Sequence, residues 1–129
     1  MNEIAQKTVL ISGGAGSMGQ LVSDYISSRN DFIMTAIHDP NYDGQEYKIY
    51  KDLTNIEEDI VVEFSPASVI NKNIEKLLDS NADLIIGSSG VSAEMLSKLK
   101  KTIDRKIIVI PNFSIGAAYQ KLFAASLSE

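Results

Sequence analysis

Apolar residues along the chain follow two rhythms. Short, nearly continuous apolar runs occur at 8–12 (TVLIS), 32–37 (FIMTAI), 59–64 (DIVVEF), 83–86 (DLII) and 106–110 (KIIVI). Runs of this length and β-branched content suit strands of a parallel sheet covered on both faces. Between them the spacing changes to i, i+3, i+4. Met18, Leu21, Val22, Tyr25 and Ile26 predict a buried helix face over 17–28. Val69, Ile70, Ile74, Leu77 and Leu78 do the same from about 66 to 80, with Pro66 in the first turn. Ser92 is a good N-cap, Glu94 suits the first turn that follows, and Met95, Leu96, Leu99 and Ile103 are expected in the core. A last helix is expected over 115–127, with Leu122, Phe123 and Ser126 near one side. The alternating segment 47–51 reads as an edge strand, because its lysines tolerate an exposed edge.

Strands alternating with helices, without repeats or low-complexity segments, predict an α/β fold. Right-handed crossovers then favour a Rossmann-type, doubly wound parallel sheet, here as a single domain. In such a sheet ligands sit beyond the carboxyl ends of the strands. The first strand runs directly into Gly13, Gly14, Gly16 and Gly19, and then into the first helix. Gly13 lets the chain turn off the strand, Gly16 lets the backbone approach a pyrophosphate, and Gly19 lets the helix pack closely. The free N–H groups of the helix start favour an anion there. Three more exits carry small or polar residues: 64–66, 87–90 and 111–116. All four loops are expected on one edge of the sheet. Asp39 follows Gly19 by about the interval at which a dinucleotide fold sets a carboxylate on the adenosine ribose. It also sits in a strand-end turn beside Pro40, which by itself requires no ligand. His38 is the only histidine, and no partner in the sequence makes it a catalytic base or metal ligand. Tyr42, Tyr47 and Tyr50 can stack on an adenine, or simply be half-buried rings.

Composition narrows the partners. The chain has 129 residues, a net charge of −5 and no cysteine. The acidic balance argues against nucleic acid and anionic membranes, and the missing cysteine removes disulfides and thiolate metal sites. No apolar run approaches the roughly 20 residues of a membrane span. The opening MNEIAQK lacks the apolar stretch of a signal peptide, so a soluble cytoplasmic protein is expected.

The segments GGAGSMG, VVEFSPASV, IIGSSG and VIPNFSIG, in this order, resemble the N-terminal half of dihydrodipicolinate reductases. These are NAD(P)H-dependent enzymes of lysine and diaminopimelate biosynthesis. The resemblance covers nearly the whole chain. It implies that Gly13, Gly14, Ala15, Gly16, Ser17 and Met18 cradle the pyrophosphate, and that His38 and Asp39 meet the adenosine ribose. Phe64 and Ser65 would line the cofactor cleft. Gly87, Ser88 and Ser89 would lie at the nicotinamide side, where the family has glycine and threonines. Pro111, Asn112 and Phe113 would pack near the nicotinamide. Ser17 stands where the family often has a basic residue, and this, with Asp39 nearby, favours NAD(H) over NADP(H). Glu63 stands where the family often has aspartate. The family's paired-histidine and lysine motif and its dicarboxylate-gripping region have no counterpart here, so no catalytic residue and no metal ligand is assigned.

Three readings follow. The first is a nucleotide-binding domain that is not fully active alone. The second is an NAD(H)-binding sensor or partner subunit without redox chemistry of its own. The third, another small-substrate dehydrogenase acting on aspartate or homoserine, is disfavoured by the NFSIG loop. Exposed apolar surface on the last helix and a sheet edge is expected to drive homo-oligomerisation, or docking of a chain that supplies the substrate domain.

Overall fold

The computed structural model describes residues 6–13 and 17–110. Strand β1 (Lys7–Ser12) leads to helix α1 (Ser17–Ser27) and strand β2 (Phe32–His38). Then come β3 (Lys48–Ile49), β4 (Ile60–Glu63), α2 (Ile70–Leu77), β5 (Asp83–Ile86), α3 (Ala93–Lys100) and β6 (Ile107–Val109). The sheet has six strands in the order β3-β2-β1-β4-β5-β6, and every pairing is parallel. This is the expected Rossmann-type order, reversing between β1 and β4.

The core lies on both sheet faces. On one face Val9, Ile11, Val62 and Ile85 pack with Val22 and Ile26 of α1. On the other, Leu10, Val61 and Ile86 pack with Ile70, Ile74 and Leu77 of α2 and Met95 and Leu99 of α3. A register shift in β1–β2 pairs Val9 with Met34 but Leu10 with Ala36, leaving Thr35 as the extra residue. The shift resets the alternation of β2. Met34 and Ile37 therefore share the α1 face, while Ala36 joins the other.

Local chemistry explains most boundaries. The Ser92 hydroxyl accepts the Met95 N–H at 3.0 Å, Glu94 sits in the first turn of α3, and Lys98 and Lys100 occupy its last turn. Helix α2 starts later than the sequence suggests. The N–H groups of Val69 and Ile70 both return to the Pro66 carbonyl, so residues 66–69 form a turn and Val69 is a cap without a side-chain bond. Three described residues expected on buried helix faces are exposed, among them Val69, 39% exposed in the turn before α2. Ile103 is 92% exposed, because α3 ends at Lys100 and the helical spacing no longer applies to it. Leu21 is 44% exposed, at the margin of the α1 stripe. The expected edge strand is present but pairs only through Lys48 and Ile49. The expected helix over 115–127 lies outside the described residues. Among the described residues no helix is long and apolar enough to cross a membrane.

Candidate functional site

The parallel register aligns the strand ends. His38, Ser12, Glu63, Ile86 and Val109 stand side by side at the carboxyl ends of β2, β1, β4, β5 and β6. Each exit residue then bonds back to its neighbour. Gly13 N–H donates to the His38 carbonyl at 2.7 Å, Phe64 to Ser12 at 2.8 Å, Gly87 to Glu63 at 2.9 Å and Ile110 to Ile86 at 2.8 Å. The chain therefore leaves β1, β2, β4 and β5 on one rim, with Ile110 after β6 beside them. Gly14, Ala15, Gly16, Pro111, Asn112 and Phe113 lie outside the described residues, and of Ser17 and Met18 only the helical backbone is described.

Gly13 has φ +84°, and a Cβ there would lie 3.0 Å from the Phe64 carbonyl carbon. Both facts require glycine, since the left-handed region strains any side chain. The turn brings the β1 exit against the β4 exit at the point where strand order reverses. A cavity of about 910 Å³ opens there, lined by Gly13, His38, Asp39, Phe64 and Ser65. Its outer wall includes Tyr42, Tyr50, Lys51, Lys72 and Lys76, a set that sequence reasoning left out apart from the tyrosines. Asp39 Oδ1 accepts the Asn41 N–H at 2.9 Å, which fixes the turn that carries it. Lys76 pairs with Asp52 at 2.6 Å. That contact holds the Asp52 carboxyl down at about 2, helped by the Thr54 hydroxyl.

Gly87, Ser88 and Ser89 occupy the same rim one strand further along but do not line this cavity. Their loop is clamped from α2. Asn71 Nδ2 donates to the Gly90 carbonyl, and Asn71 Oδ1 accepts the Ser92 N–H, both at 3.0 Å. A Cβ on Gly90 would meet the Ala67 Cβ at 2.4 Å, so the β5 and β4 exits are in close contact.

Beneath the rim lies a polar cluster. Ser12, Glu63, Ser65 and Asn73 are all buried. Ser12 Oγ lies 2.9 Å from His38 Nδ1 and 3.2 Å from Ser65 Oγ, and Asn73 Nδ2 donates to Ser65 Oγ at 3.0 Å. The Ser65 N–H donates to Glu63 Oε1 at 2.7 Å. Glu63 Oε2 is buried without a hydrogen-bond partner among the described residues. Burial pushes the Glu63 carboxyl above the usual carboxylate range, against the hydrogen bonding of Ser65, Ser12 and Asn73. Burial likewise lowers the half-buried His38, more than Asp39 and Asp52 raise it. Sequence reasoning missed Ser12 and Asn73. For Ser12 the available signal was a polar residue closing an apolar strand, as Glu63 closes IVVE; Asn73 carried none.

The geometry leaves an open crevice at the reversal of strand order, and comparisons with known proteins bear on the fold and the family. Residues 7–113 match the family model described as dihydrodipicolinate reductase, N-terminus. A 4-hydroxy-tetrahydrodipicolinate reductase of Coxiella burnetii is 29% identical over 119 residues, covering 90% of this chain and 48% of the relative. One from Dictyoglomus turgidum is 25% identical over 127 residues, covering 86% and 47%. The chain thus spans about half the length of these relatives. In structure it is similar to a dipicolinate-bound dihydrodipicolinate reductase of Paenisporosarcina sp. TG-14 (TM-score 0.71, 23% identity, 92% of this chain and 52% of that one). It also shares the fold of a Lactobacillus casei scyllo-inositol dehydrogenase with bound NAD(H) (TM-score 0.64, 16% identity, 92% and 41%). The chain belongs to the dihydrodipicolinate reductase family and corresponds to its N-terminal part.

Proposed function

We propose that this chain is the dinucleotide-binding domain of a dihydrodipicolinate reductase. The observation that carries the reading is the 910 Å³ cavity at the strand-order reversal, bordered by Gly13, His38, Asp39, Phe64 and Ser65. Gly13 lets the β1 exit turn against Phe64 on the cavity wall, and the helix start that follows favours an anion such as a pyrophosphate. In this reading residues 13–18 cradle the pyrophosphate, and His38 and Asp39 meet the adenosine ribose. Phe64 and Ser65 line the cleft. Gly87, Ser88 and Ser89, with Pro111, Asn112 and Phe113, receive the nicotinamide. The bound cofactor supplies a hydride to the substrate. The chain's own residues bind and orient the dinucleotide, while the grip on the dicarboxylate belongs to the half of the relatives that this chain does not span.

NADH is the preferred form, because the Asp39 carboxylate repels a 2′-phosphate. Lys51, Lys72 and Lys76 on the same cavity wall temper the effect, so the expected preference is modest, about tenfold. Isothermal titration with NADH and NADPH tests both points. Saturable binding of one dinucleotide per chain, NADH the tighter, is expected. No heat with either cofactor would refute the assignment. Turnover is expected only when a chain carrying the substrate-gripping half is added, or when copies of this chain assemble with one. Reductase turnover by this chain alone would overturn the division of labour.

A further inference from the structure

The cluster beneath the rim can be read by counting protons. Asn73 Nδ2 can only donate, and it donates to Ser65 Oγ. The Ser65 hydroxyl is then free to donate to Ser12 at 3.2 Å, and Ser12 to His38 Nδ1 at 2.9 Å. In that direction Nδ1 accepts, and the neutral imidazole carries its proton on Nε2. An ionised Glu63 changes the direction. It can only accept; Ser12 is its cross-strand neighbour, Ser65 already donates its N–H to Oε1, and the buried Oε2 has no partner among the described residues. Serine hydroxyls turned to the carboxylate no longer serve His38, so Ser12 must accept and Nδ1 must hold the proton. His38 lines the cavity with Nδ1 turned inward on Ser12, which leaves Nε2 as the nitrogen the cavity can reach.

We propose that Glu63 is a positioning residue: its protonation, relayed through Ser12, decides whether His38 offers a donor or an acceptor to the ribose end of a bound dinucleotide. The ribose part of this inference rests on the crevice reading above. With Glu63 neutral, Nε2–H donates and tolerates a 2′-phosphate, whose oxygens only accept. With Glu63 ionised, Nε2 accepts from a 2′-hydroxyl and faces a phosphate with a lone pair. Glu63 thus tunes the choice between NADH and NADPH.

The surroundings allow such a switch. The groups that bear on Glu63 are the uncharged Ser12 of β1, Ser65 after β4 and Asn73 of α2, and Ile86 of β5 is its cross-strand neighbour. Around His38 stand Asp39, Asp52 and Lys76, with Lys72 also on the cavity wall. Burial raises the carboxyl and lowers the imidazole, which moves both groups toward the neutral pair from which the switch starts.

Because the chain has a single histidine, imidazole ¹⁵N NMR of the free 129-residue protein reports His38 alone. As pH rises through the titration of Glu63 the wild type is expected to move its ring proton from Nε2 to Nδ1. Glu63→Gln, which cannot ionise, is expected to hold it on Nε2 throughout. Ser12→Ala, which breaks the relay, is expected to abolish the pH response and serves where the glutamine variant does not fold. Over the same range the affinity for NADPH relative to NADH falls about tenfold in the wild type and stays level in Glu63→Gln. A tautomer course shared by wild type and both variants would overturn the relay. A clean tautomer switch in a chain that binds neither dinucleotide would instead overturn the crevice reading on which the ribose role depends.

Discussion

Helix α2 touches two polar regions, and they behave differently. On its inner side Asn73 enters the buried cluster of Ser12, Glu63, Ser65 and His38. On its outer side Glu75 pairs with Lys98 of α3, and Lys76 with Asp52, around solvent-exposed charges. The inner groups are few and nearly all uncharged, and each one's role follows from its neighbours' donors and acceptors. The outer groups are fully charged and half in water, so each can lose its partner and be solvated instead. A polar group here gains structural importance from the absence of water, not from its charge.

Replacements on the inner side should therefore weigh most. Gly13→Val forces a β-branched residue to φ +84° and against the Phe64 backbone. It should lower stability by about 3 kcal/mol in urea unfolding and abolish dinucleotide binding in the same preparation. Asn73→Ala removes the donor to Ser65 and leaves a small void, and should cost about 2 kcal/mol by the same measurement. If it costs no more than a surface change, the contrast between the two sides of α2 fails.

The pH dependence sharpens the contrast. The Glu63 carboxyl is raised in the folded protein, so its contribution is complete below the unfolded value of 4.5 and is lost as pH rises through the raised folded value. His38 is lowered, so its contribution is complete above 6.5 and is lost as pH falls through the lowered value. Thermal unfolding in a pH series should show a loss on the alkaline side that Glu63→Gln removes, with the acid-side loss unchanged. On the outer side, Lys98→Ala should change stability by less than about 1 kcal/mol, and the difference should shrink further in molar salt.

The sheet and its order were legible because parallel strands announce themselves. Runs such as DIVVEF and DLII are too short for helices and too apolar for an exposed strand. The α3 cap was equally plain, since Ser92 does its work within three residues of sequence. Features that depend on two distant segments were not legible. Ser12 and Glu63 become cross-strand neighbours only through the β1–β4 register. Asn73 reads as a surface residue until the phase of α2 turns it inward. The lysines of the cavity wall come from α2 and the segment after β3, which converge on the rim only in three dimensions. The bulge at Thr35 was invisible for the opposite reason: FIMTAI is apolar enough to accept either alternation.

The clasp that Asn71 makes across the β5–α3 loop, with Gly90 pressed on Ala67, has a consequence for ligand arrival. Two exits from the sheet are joined into a single stiff ledge before anything binds. A ligand that settles on this ledge meets backbone that has already lost its freedom, and the ordering penalty falls on the ligand alone. Loosening the clasp, for example with Asn71→Ala, should surface as a less favourable binding entropy in calorimetry, with contact enthalpy nearly unchanged.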